Sequence, residues 1–254
     1  MPTPHAQLRL PGVSVVLPAF NEAPNIARAI HAARRAASAN AADHQIVVVD
    51  DGSTDGTRQI VTDLARSIPT IRLVEHERNR GYGAAVNSGI RATTQPWVLL
   101  TDADLQFDLD ELSSFVALAD EADVIVGRRV QRRDPLYRRL NAAGWNRLVR
   151  AAFGVDVRDI DCAFKLVNRD LLVRMPLRST GALISTELLV RAVAGGASVR
   201  ELEVTHRPRI AGRSSGANPL VIVRAFRELS QLRRELATST ATPAPRQRVG
   251  HPVA

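Results

Sequence analysis

Trp97-Val98-Leu99-Leu100-Thr101-Asp102-Ala103-Asp104-Leu105-Gln106 is an apolar strand that runs straight into two carboxylates separated by one alanine. Two like charges held this close at a partly desolvated strand end repel each other, and neither ionises readily without a positive partner. Two readings fit. One is a divalent cation, Mg²⁺ or Mn²⁺, which takes hard oxygen ligands and keeps water and substrate phosphates in its remaining positions. The other is a turn in which an aspartate caps the next helix. Gln106 adds a neutral oxygen two residues on.

Outward from this stretch, the same kind of apolar run recurs at 13–18, 46–49, 71–75 and 123–126. Between the runs lie helical patterns at 22–38 (Ile26, Ala29, Ile30 and Ala33 on one face), 57–67, 82–93 and 109–119. Continuous Val/Ile/Leu strands alternating with amphipathic helices predict an α/β fold with a mostly parallel sheet covered on both faces. In such sheets ligands bind beyond the carboxyl ends of the strands. There stand Pro18-Ala19-Phe20-Asn21-Glu22, Asp50-Asp51-Gly52-Ser53-Thr54-Asp55-Gly56, Asp102 with Asp104, and Gly127-Arg128-Arg129. Each alone is ordinary turn chemistry, and Asp55 reads as an N-cap for the second helix. Their convergence on one edge makes a site.

The second half is less regular. A basic helix is predicted at 135–153, with Leu136, Leu140, Trp145, Val149 and Phe153 among arginines. A strand or hairpin follows at 159–167, then a helix at 186–194, a strand at 199–204 and an arginine-rich loop at 206–215 that begins with His206. Residues 216–236 end in an amphipathic helix with apolar positions at 222, 226, 229, 232 and 236. Segments 1–11 and 237–254 lack apolar periodicity and are expected to be disordered tails around a domain at 12–215.

A chain of 254 residues that is 45% hydrophobic can bury one substantial core. The absence of a long apolar run and of a signal-peptide pattern leads to the expectation of no transmembrane helix and a cytoplasmic location. Cys162 is alone, so no internal disulfide forms. The net charge of +8 is nearly all arginine, Lys165 being the sole lysine, and it implies phosphorylated or otherwise anionic partners. Nucleic acid is not expected, because the two Trp, two Tyr and six Phe offer no visible stacking platform. A dinucleotide site is also excluded: Gly81-Tyr82-Gly83 begins a G-x-G, but position 86 is Val, and the first strand–helix turn has no glycine. No P-loop sequence occurs.

The motifs at 13–22 and 47–57, Asn79-x-Gly81 leading to Ala85-x-Asn87-x-Gly89, and Asp-Ala-Asp-Leu-Gln together resemble family 2 glycosyltransferases of the GT-A fold. Within that family the chain is most similar to dolichyl- or polyprenyl-phosphate sugar synthases, over roughly residues 13–215. The resemblance implies that Pro18, Phe20, Glu22, Val49 and Asp51 hold the nucleoside of a GDP- or UDP-linked sugar. Asp102, Asp104 and Gln106 would ligate Mg²⁺ or Mn²⁺, and Ala103 would line the ribose. Arg129 and Arg138 match phosphate-binding arginines, and Arg209-x-x-Gly212-x-Ser214 matches a loop that closes over the pyrophosphate and acceptor phosphate, in which Arg213 would supply the charge of the family's lysine. The family's lysine after that serine is Ser215 here, a serine often found near the acceptor phosphate is Ala142, and the Ser-Gly-Phe segment reads Cys162-Ala163-Phe164. All three departures fall on the acceptor side.

What activates the nucleophile separates the alternatives. A polyprenyl phosphate is already anionic at neutral pH and needs positioning, whereas a soluble hydroxyl acceptor needs a general base. Asp159, Asp161 and Glu187 are the base candidates, and for Glu187 the competing role is a structural partner to an arginine. The basic helices either lie on an anionic membrane surface, as a peripheral enzyme with a lipid acceptor would require, or simply pack on the core, with Trp145 as a core residue. A third reading, from another class, is a non-catalytic polyanion-binding protein.

Overall fold

The computed structural model describes residues 8–130, 136–208 and 227–236, with residues 136–143 described by their backbone only. Seven strands form one sheet: β1 (Leu10–Ala19), β2 (Ala41–Asp50), β3 (Ile71–Glu75), β4 (Trp97–Leu100), β5 (Val124–Val130), β6 (Lys165–Asn168) and β7 (Val199–Thr205). Their order is β3-β2-β1-β4-β6-β5-β7. Every pairing is parallel except those of β6, which is antiparallel to both β4 and β5. This is the mostly parallel α/β sheet that the apolar runs predict.

Side-chain alternation divides the strands between two cores. Val13, Val15, Leu17, Trp97 and Leu99 face one layer, formed with α1 (Ile26–Asn40), α2 (Thr57–Ser67) and, after a 3-10 turn at Leu109–Glu111, α4 (Leu112–Val116). Val16, Val47, Val49, Val98 and Leu100 face the other, formed with α3 (Tyr82–Ala92), α5 (Leu136–Phe153), α6 (Arg169–Arg174), α7 (Ile184–Ala194) and α8 (227–236). Both faces of the central strands β1, β4 and β6 are covered, so period-2 polarity is absent there and the sequence shows continuous apolar runs.

Several boundaries differ from the sequence expectation. β1 starts at Leu10, inside the segment expected to be a tail, because Leu10 pairs with Ala41 and is buried. The rest of both tails, residues 209–226 and the amino-terminal part of the last helix lie outside the described residues. The expected strand or hairpin at 159–167 is a loop followed by the short β6, and the helix α6 was not anticipated. The loop is non-extended because Lys165 on β6, fully buried, turns its ammonium back onto the carbonyls of Ile160 (3.1 Å) and Cys162.

The apolar stripes of the two basic helices pack on the domain. Val149 is buried, and Trp145 packs in the second core and donates its indole N–H to Thr186 Oγ1 at 3.2 Å. In α8, Leu229 and Leu232 are buried in the same core. Of the two readings of these stripes, membrane interface or core, Trp145, Val149, Leu229 and Leu232 take the core, while Leu148 is exposed. Among the described residues, no helix is long and apolar enough to cross a membrane.

Candidate active site

The first two turns after the strands are stitched into one unit. Ser53 Oγ accepts from Asn21 N–H (2.9 Å), Asn21 Oδ1 from Thr54 N–H (2.8 Å), Thr57 Oγ1 from Glu22 N–H (2.9 Å), and Asp55 Oδ2 from Ala23 N–H (3.1 Å). Asp55 caps α2 from one position earlier than expected. The residue before the helix is Gly56, while Asp55 Oδ1 accepts from Thr57 N–H at 2.9 Å. Burial alone would raise the Asp55 pKa, but hydrogen bonds from the Thr57 hydroxyl and from backbone amides pull it below the ordinary carboxylate value. Within this unit Phe20 is 44% exposed, a large apolar ring left open at a sheet edge, and Glu22 is buried, its carboxylate accepting from Asn25 Nδ2 at 2.7 Å. Pro18 is half-buried.

Asp51 is already bonded to the loop that follows β3. Its oxygens accept from Arg80 N–H and Gly81 N–H, both at 2.9 Å, and from His76 Nδ1 at 2.6 Å. His76, also buried, reaches Ser88 Oγ with Nε2 at 2.9 Å. Asp51 thus pins the loop that enters α3. The Val49 side chain is fully buried in the second core, so it reaches no ligand and only its backbone lies at the strand end.

β4 delivers the acidic pair as predicted. Asp104 is 3% exposed and Oδ1 accepts from Gln106 N–H at 3.1 Å, while Ala103 packs in the first core. Tyr82, the first residue of α3, stands beside Asp102 and Asp104. Burial first, and then the charges of Asp102 and Asp104, push that phenol well above its usual pKa. Asn21 (φ 56°) and Leu105 (φ 61°) are the positive-φ non-glycine residues among those described. Both sit in turns of the site, where strained backbone concentrates because the surrounding structure over-determines it.

The exit of β7 is zipped to this acidic turn. Arg207 N–H donates to the Gln106 carbonyl (2.7 Å), Gln106 Nε2 donates to the Arg207 carbonyl (3.0 Å), and the rings of Phe107 and His206 meet edge-on at 5.2 Å. Gln106 therefore has its amide nitrogen turned to Arg207. Arg209, Arg213 and Ser214 follow directly in sequence and lie outside the described residues, as do Ala142, Ser215 and the side chain of Arg138.

Beyond β5, where the sequence reading places the acceptor, arginine pairing dominates. Asp159 grips Arg129 with two bonds of 2.7 Å, Oδ2 to Nε and Oδ1 to Nη2, and also accepts from Arg129 N–H at 3.1 Å. Burial alone would lower the Arg129 pKa, but the bonds and charge of Asp159 outweigh it and raise the value. Arg129 is therefore at the predicted edge with its fork already occupied, and Asp159 is a structural counter-ion. Burial likewise pushes the Cys162 thiol up to about 12 and lowers the pKa of the adjacent Lys165 ammonium. Asp161 is exposed.

Glu187 takes the structural role. It is 2% exposed and accepts from Arg191 Nε (2.8 Å), Arg178 N–H (3.0 Å) and Ser179 N–H (2.7 Å), so a base function there is corrected. The sequence reading missed His76, which carries no motif, and Tyr82, which sits between the two glycines weighed only as a dinucleotide signal. Among the described residues no three His, Cys, Asp or Glu side chains cluster to hold a metal by themselves.

A model of glycosyl transferase family 2 matches residues 14–175. The chain is 30% identical over 227 residues to Glycosyltransferase AglJ of Haloferax volcanii, covering 87% of this chain and 69% of that protein. It is also 30% identical over 238 residues to the undecaprenyl-phosphate 4-deoxy-4-formamido-L-arabinose transferase of Enterobacter sp., covering 91% and 68%. Among solved structures, glucosyl-3-phosphoglycerate synthase from Mycobacterium tuberculosis in complex with UDP superposes with a TM-score of 0.67 at 21% identity, covering 89% of this chain and 80% of that one. The same enzyme in complex with Mn²⁺, UDP-glucose and phosphoglyceric acid gives 0.66 at 20% identity over the same shares. At that identity the structural likeness speaks for the fold.

Proposed function

This chain belongs to glycosyl transferase family 2, and on that premise we propose that it moves a sugar, with inversion, from a UDP-linked donor to a polyprenyl phosphate. The observation that carries the acceptor is the fate of the base candidates. Asp159 and Glu187 are both committed to arginines, which leaves the exposed Asp161. A phosphate nucleophile is already ionised and needs no base. The undecaprenyl-phosphate relative supports the same class.

The donor end suits a divalent cation. Asp102 and Asp104, one residue apart with Asp104 buried, and the amide oxygen of Gln106 form an all-oxygen partial shell of the kind Mg²⁺ and Mn²⁺ accept. When bound, the cation neutralises charge on the departing nucleoside diphosphate. The chain's own residues do the rest. Phe20 offers an open ring for stacking the base, Pro18 and the backbone at Val49 floor the nucleoside, and Ala103 keeps the ribose wall low. Glu22 and Asp51 hold the two turns in register. Arg209 and Arg213 follow the β7 exit, which is fastened beside the acidic turn, and would add charge-assisted bonds to the pyrophosphate. Arg129, Arg138 and Ser214 are assigned to the acceptor phosphate, Arg129 through the face of its guanidinium that Asp159 leaves unbridged. A lipid acceptor would be met by peripheral contact at the cytoplasmic membrane face, through the outward arginines of α5 and α8.

The test is transfer of radiolabelled sugar from a UDP-sugar panel into organic-extractable product with undecaprenyl phosphate and Mn²⁺. Asp161→Asn should lower that transfer by less than about tenfold, since a base is worth roughly 10²–10⁴. A loss in the larger range, with label entering only water-soluble product, would instead identify a hydroxyl acceptor with Asp161 as base.

A further inference from the structure

Glu201 of β7 divides its carboxylate between a loop and an arginine. Its Oε1 accepts from the backbone amides of Arg158 (2.8 Å) and Asp159 (3.1 Å), while Oε2 lies 3.8 Å from Arg128 Nε. The loop that carries these amides is held at its carbonyls as well. The buried Lys165 ammonium bonds to Ile160 C=O at 3.1 Å and to Cys162 C=O, and Cys162 N–H donates to Asp159 C=O at 3.2 Å. A carboxylate on β7 thus takes the loop's amides and an ammonium on β6 takes its carbonyls.

The loop also abuts β5 two residues before Arg129. A Cβ on Gly127 would stand 3.0 Å from Cys162 Sγ and 3.1 Å from the Phe164 carbonyl oxygen. Beside this contact Asp159 grips Arg129 along one edge of its guanidinium, at Nε and Nη2 (both 2.7 Å), and takes its backbone N–H at 3.1 Å. A guanidinium is planar, with its donors in a fixed fork. Engaging that edge directs both hydrogens of Nη1 and the second hydrogen of Nη2 away from Asp159. Two parallel N–H groups at this open end match two oxygens of a phosphate monoester.

We propose that Glu201 is a positioning residue: by fixing the loop 158–162 it sets Asp159, and through Asp159 the direction in which Arg129 offers its open end to the acceptor phosphate. The inference rests on the assignment of Arg129 to that phosphate. Without the Glu201 oxygen the amides of Arg158 and Asp159 lose their partner, and the Arg129 fork turns with the relaxing loop. Misplacing a binding group by about 1 Å can cost up to about 10²-fold.

The experiment measures binding of farnesyl phosphate, a soluble prenyl monophosphate, to the full chain with Mn²⁺ and UDP present, by isothermal titration calorimetry. UDP affinity and thermal unfolding are recorded for the same variants. Arg129→Ala should weaken farnesyl phosphate binding about 10–100-fold, the range of hydrogen bonds to charged groups. Glu201→Ala should weaken it about tenfold with UDP affinity unchanged, and Glu201→Gln, which keeps Oε1 as an acceptor, should bind as wild type. In the Arg129→Ala background Glu201→Ala should add little, since positions that act through one another are non-additive. If Glu201→Ala does not fold, Asp159→Asn, which disturbs the same grip on Arg129, replaces it with the same expected loss. Four results overturn the inference while Arg129→Ala still loses binding: wild-type affinity in Glu201→Ala, an equal loss of UDP affinity, no recovery in Glu201→Gln, or a full further loss in the Arg129→Ala background. No binding by the wild-type protein, or unaltered binding in Arg129→Ala, overturns the phosphate assignment and this inference with it.

Discussion

The two ends of the sheet satisfy their carboxylates in different ways. Around β1, β2 and β4, Asp50, Asp51, Asp55 and Asp104 accept from backbone amides, those of Ser53, Arg80 and Gly81, Thr57, and Gln106 respectively. Around β5, β6 and α7, Asp159 and Glu235 are held by the side chains of Arg129, Arg191 and Arg178, and Glu187 by Arg191 together with the amides of Arg178 and Ser179. Backbone amides fix a turn and leave no cation behind if the acid is removed. A guanidinium pair fixes two side chains across the fold and strands a buried charge when broken. The edge at β1, β2 and β4 is thus built as a set of rigid turns, and that at β5, β6 and α7 as a network of paired charges.

The contrast can be broken experimentally. The largest effect is expected for Asp104→Ala, which removes one of the two carboxylates proposed to hold the cation. Several kcal/mol of transition-state stabilisation, or about a 10³-fold fall in kcat, should appear in a nucleotide-sugar turnover assay. Next is Asp159→Ala. It leaves the 14% exposed Arg129 side chain without its counter-ion and should lower stability by about 3–5 kcal/mol in urea unfolding. Asp51→Asn keeps one acceptor oxygen for the amides of 80–81 and should lower stability by about 1–3 kcal/mol. A larger loss for Asp51→Asn than for Asp159→Ala would reverse the contrast.

The smallest effect is expected at Asp55. Asp55→Ala removes a capping contact worth about 1 kcal/mol. Its carboxylate is held below the ordinary value of 3.8, so its contribution is present above that value and disappears as pH falls through the lower folded pKa. Acid unfolding of wild type and Asp55→Asn should converge at the low end of that window and separate above it.

The same contrast explains how much of the site could be read from the chain. Asp55 with Thr57 and Asp104 with Gln106 are contacts two residues apart, so the motif that contains them contains their geometry. The acidic pair and the turns after the strands were accessible for that reason. Arg129 and Asp159 are 30 residues apart, and Arg178 and Glu235 are 57 apart. Nothing local in either sequence names its partner, and so Asp159 and Glu187 stood as base candidates. Tyr82 was passed over because glycines on both sides suggested a phosphate loop, when their function is to admit the carbonyls of 179–181.

By itself, the sequence determined the alternation of buried strands and helices and the placing of polar turns at the strands' carboxyl ends, because hydrophobic period and turn chemistry act over a few residues. Only the tertiary structure decided that β6 enters antiparallel between β4 and β5, that the Arg129 fork is already paired with Asp159, and that Glu187 is enclosed by Arg191 and the amides of Arg178 and Ser179. Those outcomes depend on which distant side chains the closed sheet brings within hydrogen-bond reach, and a buried charge takes the partner that geometry supplies.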